Sequence, residues 1–120
     1  MGVGQGSKVT VVVPVYNCRP TLRRALESVF EQSLRRSLGP DAIEVIAVDD
    51  GSTDGSGAEL DKLAEEHPGL TVVHQPNSGG PGAPRNVGID RASGEYVFFL
   101  DADDYLAPEA LERTCAMADA

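Results

Sequence analysis

Residues 96–105 read Tyr-Val-Phe-Phe-Leu-Asp-Ala-Asp-Asp-Tyr, an apolar run that stops at a cluster of acids. Five consecutive apolar residues predict a strand buried on both faces, because a half-exposed strand would alternate apolar and polar side chains. The carboxylates of Asp101, Asp103 and Asp104 repel one another and resist desolvation, so something should compensate them. Asp101 and Asp103 offer the hard oxygen ligands that Mg²⁺ or Mn²⁺ prefers, and such ions keep positions open for a phosphate. This stretch therefore predicts a strand that ends in a metal site for a phosphorylated ligand.

A purely structural interpretation of the same acids is also open. Short Asp side chains commonly end strands and cap turns or following helices. Asp104 precedes a helix that we expect to begin near Pro108, which makes it a candidate cap. The acids alone do not decide between a metal site and a turn.

Composition limits the class of protein. A chain of 120 residues with 41% apolar residues is long enough for one globular domain, expected at residues 9–120 after a flexible tail at residues 1–8. The net charge of −9 argues against nucleic acid or an anionic membrane as a partner held by charge alone. Cys18 and Cys115 lie too far apart for metal-ligand spacing and suit a reducing compartment, so we expect a cytoplasmic location.

Apolar periodicity predicts strands in alternation with helices. Strands are expected at residues 9–15, 43–48, 70–74 and 96–100, and helices at residues 20–30, before His67, at residues 84–92 and from Pro108. The surest helix carries Leu22, Ala25, Leu26, Val29 and Phe30 on a single face. The segment from Ser33 to Ala42 is expected to be a polar connection.

Alternating strands and helices predict an α/β fold, a three-layer α/β/α arrangement around a mainly parallel open sheet. Parallel strands place their carboxyl ends along one edge, where ligands bind in open α/β sheets. Polar residues end all four predicted strands, at residues 16–17, 49–50, 75–77 and 101–104. We therefore expect these residues to meet in one cleft, with the Gly-rich loop at residues 75–82 close to the ligand.

Several common site motifs are absent from the sequence. No glycine fingerprint for a dinucleotide follows the first strand, and no phosphate-binding loop of the Gly-x-x-x-x-Gly-Lys-Ser/Thr type occurs. His67 and His74 have no partner at metal-ligand or nucleophile-activating spacing, so both are expected to be ordinary surface residues. A nicotinamide-dependent or ATP-hydrolysing enzyme is therefore a poor interpretation.

Four blocks of the sequence resemble, in order, the signature blocks of family 2 glycosyltransferases with the GT-A fold. They are Val-Val-Val-Pro-Val-Tyr-Asn at 11–17, Val-Asp-Asp-Gly-Ser-Thr-Asp at 48–54, the segment 77–88 containing Pro-Arg-Asn, and the segment 94–104. Each block alone is weak evidence. Four in order and at plausible spacing cover nearly the whole chain, which makes coincidence a poor explanation.

The resemblance implies transfer of a sugar from a nucleotide diphosphate donor, with UDP the expected nucleotide, to a glycan or other hydroxyl acceptor. It implies inversion at the anomeric carbon and a requirement for Mg²⁺ or Mn²⁺. In this family pattern Pro14 and Tyr16 line the nucleobase pocket, and Asp50 accepts a hydrogen bond from a ring N–H. Without the resemblance, Tyr16 reads as a packed strand-end aromatic and Asp50 as the cap of the turn at residues 52–56.

The resemblance also assigns the phosphate end of the site. Arg85 is expected near the nucleotide, Asp101 and Ala102 near the ribose or metal, and Asp103 on the metal that bridges the diphosphate. Pro84 stands where many members have Ala, a change that Pro tolerates in a first helical turn.

Family members are longer than this sequence, so we expect a truncated donor-binding half. The carboxylate base is expected beyond Ala120, no catalytic residue is assigned here, and residues 1–120 alone are expected to transfer no sugar. The unpaired edge of the fourth strand invites self-association, and membrane contact, at the inner face, is expected only through regions outside this sequence. The competing interpretation is a nucleotide-binding or interaction module without transferase activity. A nucleotidyltransferase lacks support, because no basic Gly-rich loop follows the first strand.

Overall fold

The computed structural model describes residues 7–80 and 82–119. Strands and helices alternate as the apolar periodicity predicts. In chain order they are β1 Val9–Val15, α1 Arg19–Phe30, α2 Ser33–Leu38, a 3₁₀ helix Pro40–Ala42, β2 Ile43–Asp50, α3 Ser56–Glu66, β3 Leu70–Gln75, α4 Gly82–Arg91, β4 Tyr96–Phe99 and α5 Ala110–Asp119.

The four strands form one parallel sheet in the order β3-β2-β1-β4. The chain runs outward from β1 to β3 and then returns to add β4 on the other side of β1. This reversal of direction beside β1 is where open α/β sheets form ligand crevices, at the carboxyl ends of the strands. The predicted α/β fold with a parallel sheet is confirmed.

Helices cover the sheet on both faces. On one face, α1, α3 and α5 pack over Val11 and Val13 of β1, and all five apolar residues predicted for the inner side of α1 are buried. On the other face, α4 packs against β1 and β2. A Cβ atom at Gly88 of α4 would overlap the side chain of Val12, so glycine at this position allows the helix to approach the sheet closely. Among the described helices, none has the length and apolar character of a membrane span.

The expectation that strand β4 is buried on both faces is wrong for the described chain. Tyr96 and Phe98 pack against the core, whereas the side chains of Val97 and Phe99 are 39% and 41% exposed. The reason is position: β4 is an edge strand, and α4 covers β1 and β2 on the face where Val97 and Phe99 lie. An apolar run indicates a strand, but its neighbours decide how much of that strand is covered.

Two smaller differences concern a connection and a helix end. The predicted polar connection at residues 33–42 contains α2 and the 3₁₀ helix, because Leu34 is buried and Gly39, with φ of 101°, ends the first of them. Helix α5 begins at Ala110, slightly later than expected, and buries Leu111 and Cys115.

The predicted flexible tail falls mostly on residues 1–6, which lie outside the described residues. Its last two residues, Ser7 and Lys8, are hydrogen-bonded to the segments that lead into β2 and β4. The backbone N–H of Lys8 donates to Ala42 O at 2.9 Å, and Ser7 O accepts from the N–H of Glu95 at 3.0 Å.

Candidate functional site

A cavity of about 420 Å³ lies at the carboxyl edge of the sheet. Its walls come from the ends of β1, β2 and β4, from the loop after β3 and from the first turns of α4. All seven residues predicted for the nucleotide and metal sites line it: Pro14, Tyr16, Asp50, Arg85, Asp101, Ala102 and Asp103. Residues scattered over nearly 90 positions of sequence therefore meet in one place.

The β1 side of the cavity presents an aromatic ring. Tyr16 is 52% exposed, so it is not the packed strand-end residue of the structural alternative. The chain turns sharply after it, because Asn17 adopts a left-handed conformation with φ of 53°. The Asn17 side chain secures this turn by accepting a hydrogen bond from the N–H of Thr53 at 2.7 Å. The ring is thereby left open to a planar ligand group.

The β2 side of the cavity presents a buried carboxylate. Asp50 is 3% exposed, and its Oδ1 accepts hydrogen bonds from Gln75 Nε2 at 2.8 Å and from the N–H of Ser78 at 3.1 Å. Its Oδ2 accepts from the Ser78 hydroxyl at 2.8 Å. Asp50 therefore does not cap the turn at residues 52–56. A carboxylate fixed in this way retains acceptor capacity toward the cavity, since its two oxygens offer about four lone-pair sites.

Asp49 points to the opposite face, away from the cavity. Its Oδ1 accepts from the N–H of Ser52 at 3.0 Å, and its Oδ2 lies 2.9 Å from His74 Nδ1. The other ring nitrogen of His74 lies 2.8 Å from Asp61 Oδ1. Hydrogen bonds to Asp61 and Asp49 raise the pKa of His74 above its ordinary value. Burial raises the pKa of Asp49, but the hydrogen bonds from His74 and Ser52 outweigh it and hold that pKa below its usual range.

His74 is therefore not the ordinary surface residue expected from the sequence. Asp49 was expected in the cleft with the other strand-end residues, but it does not line the cavity. Both expectations failed because the sequence does not show the register between β2 and β3. In that ladder Asp49 lies beside His74 and Asp50 beside Gln75. Because side chains alternate between the faces of a strand, the first pair faces α3 and the second faces the cavity.

The loop after β3 is pressed against the end of β2. Gly51 has φ of 75°, and a Cβ atom there would lie 2.5 Å from the backbone N of Asn77. The Asn77 side chain donates to Asp50 O at 2.9 Å and accepts from the N–H of Gly79 at 3.1 Å. Glycine at residue 51 is thus required for the close contact that brings the loop to the cavity.

The β4 side of the cavity carries the acidic turn, residues Asp101–Asp104. Carboxylate oxygens of Asp101, Asp103 and Asp104 lie within 4.8 Å of one another, and all three residues are exposed. The N–H of Asp104 donates to Asp101 O at 2.9 Å, which closes the turn. Asp104 lies six residues before α5, so it does not cap that helix. Clustered exposed carboxylates are a hard-oxygen donor set that fits Mg²⁺ or Mn²⁺.

Arg85 faces the acidic turn from α4. Its Nη2 lies 3.7 Å from Asp101 Oδ1, and its guanidinium lies 5.8 Å from the centre of the Phe99 ring. Its Nε is buried with no hydrogen-bond partner among the described residues. A buried N–H donor normally has a partner, so this group is suited to an oxygen of an anionic ligand in the cavity.

Cys18 also lines the cavity, at a position that no sequence motif indicates. It immediately precedes α1, and its backbone N–H donates to the Ser56 hydroxyl at 3.2 Å. Burial raises the pKa of its thiol.

Comparison with known proteins agrees with the resemblance. The model of glycosyl transferase family 2 matches residues 10–120. A poly(ribitol-phosphate) β-glucosyltransferase of Bacillus spizizenii is 41% identical over 107 residues, covering 88% of this chain and 16% of the relative. Residues 1–349 of Staphylococcus aureus TarS in complex with UDP-GlcNAc superpose with a TM-score of 0.80 at 37% identity, over 93% of this chain and 31% of that one.

A second solved structure is a mannosyltransferase of Pyrobaculum calidifontis in complex with GDP-Man and Mn²⁺. It superposes with a TM-score of 0.78 at 35% identity, over 90% of this chain and 31% of that one. The chain spans from 14% to 40% of the length of the first curated relatives it matches.

Proposed function

The chain belongs to glycosyl transferase family 2, and from this membership we propose that its cavity binds the nucleotide diphosphate sugar donor of an inverting glycosyltransferase. The observation that carries the proposal is the convergence of seven residues from separate sequence blocks on one cavity at the reversal point of the sheet. In the protein's reaction, the sugar passes to a hydroxyl of a glycan or another acceptor.

The nucleobase end of the donor lies between β1 and β2. Pro14 and the exposed Tyr16 ring supply an apolar and aromatic wall on which a base stacks. Asp50 accepts a hydrogen bond from a ring N–H of the base, and Gln75 and Ser78 hold its carboxylate for that purpose. Uracil offers such an N–H group, and UDP is the proposed nucleotide. The TarS complex with UDP-GlcNAc supports this choice.

The diphosphate end lies between the acidic turn and α4. Asp101 and Asp103 would hold Mg²⁺ or Mn²⁺, and Ala102, which lines the cavity between them, would lie near the ribose. Such a cation supplies charge neutralisation at the departing diphosphate, which is where negative charge develops in the reaction. Arg85, with its unpartnered Nε, contributes a second positive group on the same side. The mannosyltransferase complex with Mn²⁺ supports a divalent cation without deciding which one.

No base is assigned among the described residues. The cavity carboxylates are Asp50, Asp101 and Asp103, and each has a role toward the base or the metal. An inverting reaction needs a base across the anomeric carbon from the leaving diphosphate. The described residues are therefore proposed to bind and orient the donor.

We further propose that two copies associate through the edge of β4. This strand pairs with β1 alone among the described strands, and Val97 and Phe99 expose apolar surface beside its unpaired edge. Sedimentation velocity over a range of concentrations tests this. Val97→Lys should abolish the dimer, whereas Met117→Lys, at an exposed apolar residue of α5, should not. A wild-type monomer at every concentration would exclude the association.

We also propose a cytoplasmic location. Cys18 and Cys115 are both free thiols, which is usual in a reducing compartment. Fractionation of cells that express the protein checks this, and recovery from an extracytoplasmic fraction would contradict it.

A binding panel tests the donor proposal. With Mn²⁺ present, calorimetry on the purified chain should rank UDP above UMP, because UDP carries the second phosphate of the proposed diphosphate site, and UDP above GDP, because uracil is the proposed partner of Asp50. Binding of UDP that is no tighter than that of UMP would contradict a diphosphate site. If GDP binds more tightly than UDP, uracil is the wrong base, but the proposed diphosphate site is not contradicted.

A further inference from the structure

The acidic turn is attached to helix α1. The hydroxyl of Thr21 donates to Ala102 O at 2.9 Å. Ala102 stands between Asp101 and Asp103, and its own side chain is buried in the core at 3% exposure. The centre of the turn is therefore fixed on two sides, by core packing and by the Thr21 hydroxyl, while the flanking carboxylates project into the cavity.

The segment that follows the turn is attached to the same helix. Ser28 Oγ accepts from the N–H of Leu106 at 3.0 Å. Gln32, just beyond the end of α1 and 1% exposed, donates from Nε2 to Ala107 O at 2.7 Å and accepts at Oε1 from the N–H of Leu111 at 3.0 Å. Thr21, Ser28 and Gln32 are spaced by seven and four positions. They therefore lie along one side of α1 and of the residues that directly follow it. The chain from residue 102 to residue 111 is thus fastened along its length.

Within this series, the Thr21 contact is the one that reaches the proposed metal ligands. The Thr21 hydroxyl also lies 3.3 Å from Cys18 O, but its single proton favours the shorter contact to Ala102 O. Without that donor, a buried carbonyl would lose its partner and the turn would relax, because an unsatisfied buried acceptor is costly.

We propose that Thr21 is a positioning residue for the metal and diphosphate end of the donor site. The inference rests on the proposed function. Exposed carboxylates on an unrestrained turn lose conformational freedom when they bind a cation, and a turn held in the binding geometry loses less. Thr21 supplies this restraint through the Ala102 carbonyl and touches neither metal nor nucleotide.

The test compares three variants of the full chain. Thr21→Val removes the hydroxyl at nearly constant shape, and Thr21→Ser restores it. Thr114→Val is the matched control, because the Thr114 hydroxyl donates only to Ala110 O within α5 and is exposed. For each protein, UDP affinity is measured with Mn²⁺ and with chelator, Mn²⁺ binding is measured by electron paramagnetic resonance, and stability by denaturant unfolding.

Thr21→Val should weaken Mn²⁺ binding and the Mn²⁺-dependent gain in UDP affinity by about three- to tenfold, the range expected for one lost hydrogen bond. Its UDP affinity in chelator should match that of the wild type. Thr21→Ser should recover most of the gain, and Thr114→Val should change neither quantity.

The outcomes separate two failures. If wild-type UDP binding gains from Mn²⁺ and Thr21→Val keeps the full gain, this inference is overturned while the proposed function stands. The inference is also overturned if Thr21→Val is less stable than the wild type but keeps the Mn²⁺-dependent increase in UDP affinity, because a merely structural role of Thr21 predicts that result. If the wild type itself binds neither Mn²⁺ nor UDP, the proposed function fails and this inference fails with it.

Discussion

Two pairs of strand-end acids, after β2 and after β4, look alike in sequence and differ in their surroundings. Asp49 and Asp50 are 6% and 3% exposed, and groups of the protein itself donate hydrogen bonds to all four of their carboxylate oxygens. Asp101 and Asp103 are exposed, and among the described residues Arg85 forms an ion pair with Asp101, with its Nη2 3.7 Å from Asp101 Oδ1.

The difference indicates where each pair finds its compensation. A buried carboxylate is tolerated only when donors surround it, and the protein provides them at the end of β2. Neighbouring exposed carboxylates repel one another, and a divalent cation relieves that repulsion. We therefore interpret the β2 acids as a fixed hydrogen-bond acceptor, and we propose that the β4 acids receive a cation from outside.

The largest expected effect comes from the exposed pair. Asp103→Asn should lower UDP affinity in Mn²⁺ by about 10- to 100-fold, to the value measured in chelator, because loss of a direct ligand should cost at least as much as the loss of a group that only supports a ligand. Calorimetric titration in both media measures this. Asp104→Asn is the comparison within the same turn and should have a smaller effect, and equal losses for the two variants would contradict the assignment of Asp103.

The next effect comes from the buried pair and should not depend on metal. Asp50→Asn replaces a charged acceptor, and the loss of such a hydrogen bond costs about 1.5 kcal/mol or more, so UDP affinity should fall at least about tenfold in Mn²⁺ and in chelator alike. Asp90→Asn, at an exposed position of α4, is the control. If Asp50→Asn loses UDP affinity only when Mn²⁺ is present, the acids after β2 and the acids after β4 do not have separate roles.

A smaller effect is expected at the aromatic wall. Tyr16→Ala removes an exposed ring, and loss of one stacking contact of ~1 kcal/mol corresponds to about fivefold weaker UDP binding in either medium. Tyr16→Phe should retain nearly all of the affinity, because stacking needs the ring and not the hydroxyl. Equal losses in both variants would point to a hydrogen bond from the hydroxyl instead.

The smallest effect concerns stability and the face of β2 that points away from the cavity. The carboxylates of Asp61 and Asp49 raise the pKa of His74 above its ordinary value of 6.5. The stabilising contribution of protonated His74 is therefore present below pH 6.5 and is lost as the pH rises through the raised pKa. The lowered pKa of Asp49 means that its contribution is present above its ordinary value and is lost as pH falls through the lowered one. The pairing of His74 with Asp49 should therefore stabilise the fold most in mildly acidic solution.

His74→Gln should reduce the free energy of unfolding by no more than about 1 kcal/mol at about pH 5.5, since His74 and Asp61 are solvent-screened, and by less at about pH 9. Urea unfolding at the two pH values measures the difference. A reduction of the same size at both would contradict the charged pairing. UDP affinity should stay at the wild-type value, because the pair points away from the cavity.

Much of this arrangement can be predicted from local pattern. The β-branched run of β1 and the apolar face of α1 each contain enough information to define an element, and parallel strands bring their ends to one edge whatever the details of packing. For that reason Tyr16 and Asp50 could be expected in one cleft from the strand pattern, whereas Arg85 was expected near the nucleotide only from the family resemblance.

The rest of the arrangement depends on strand register and on contacts between distant residues, which a local sequence pattern does not contain. The pairing of Asp49 with His74 follows from the register between β2 and β3, and the exposure of Val97 follows from which strands α4 covers. The contact of Thr21 with Ala102 joins residues 81 positions apart. The recurrence of Thr21 and Ser28 on one side of α1, with Gln32 just beyond its end, is the sequence signal that indicates a polar partner for that side.

The central claim is that the acids after β4 obtain their compensating charge from a bound cation, and titration of the wild-type chain with UDP in Mn²⁺ and in chelator tests it most directly. UDP should bind about 10- to 100-fold tighter with Mn²⁺, because the cation removes the repulsion between the acidic turn and the diphosphate. Equal affinity in the two media would contradict the account and leave the acidic turn without a metal-binding role.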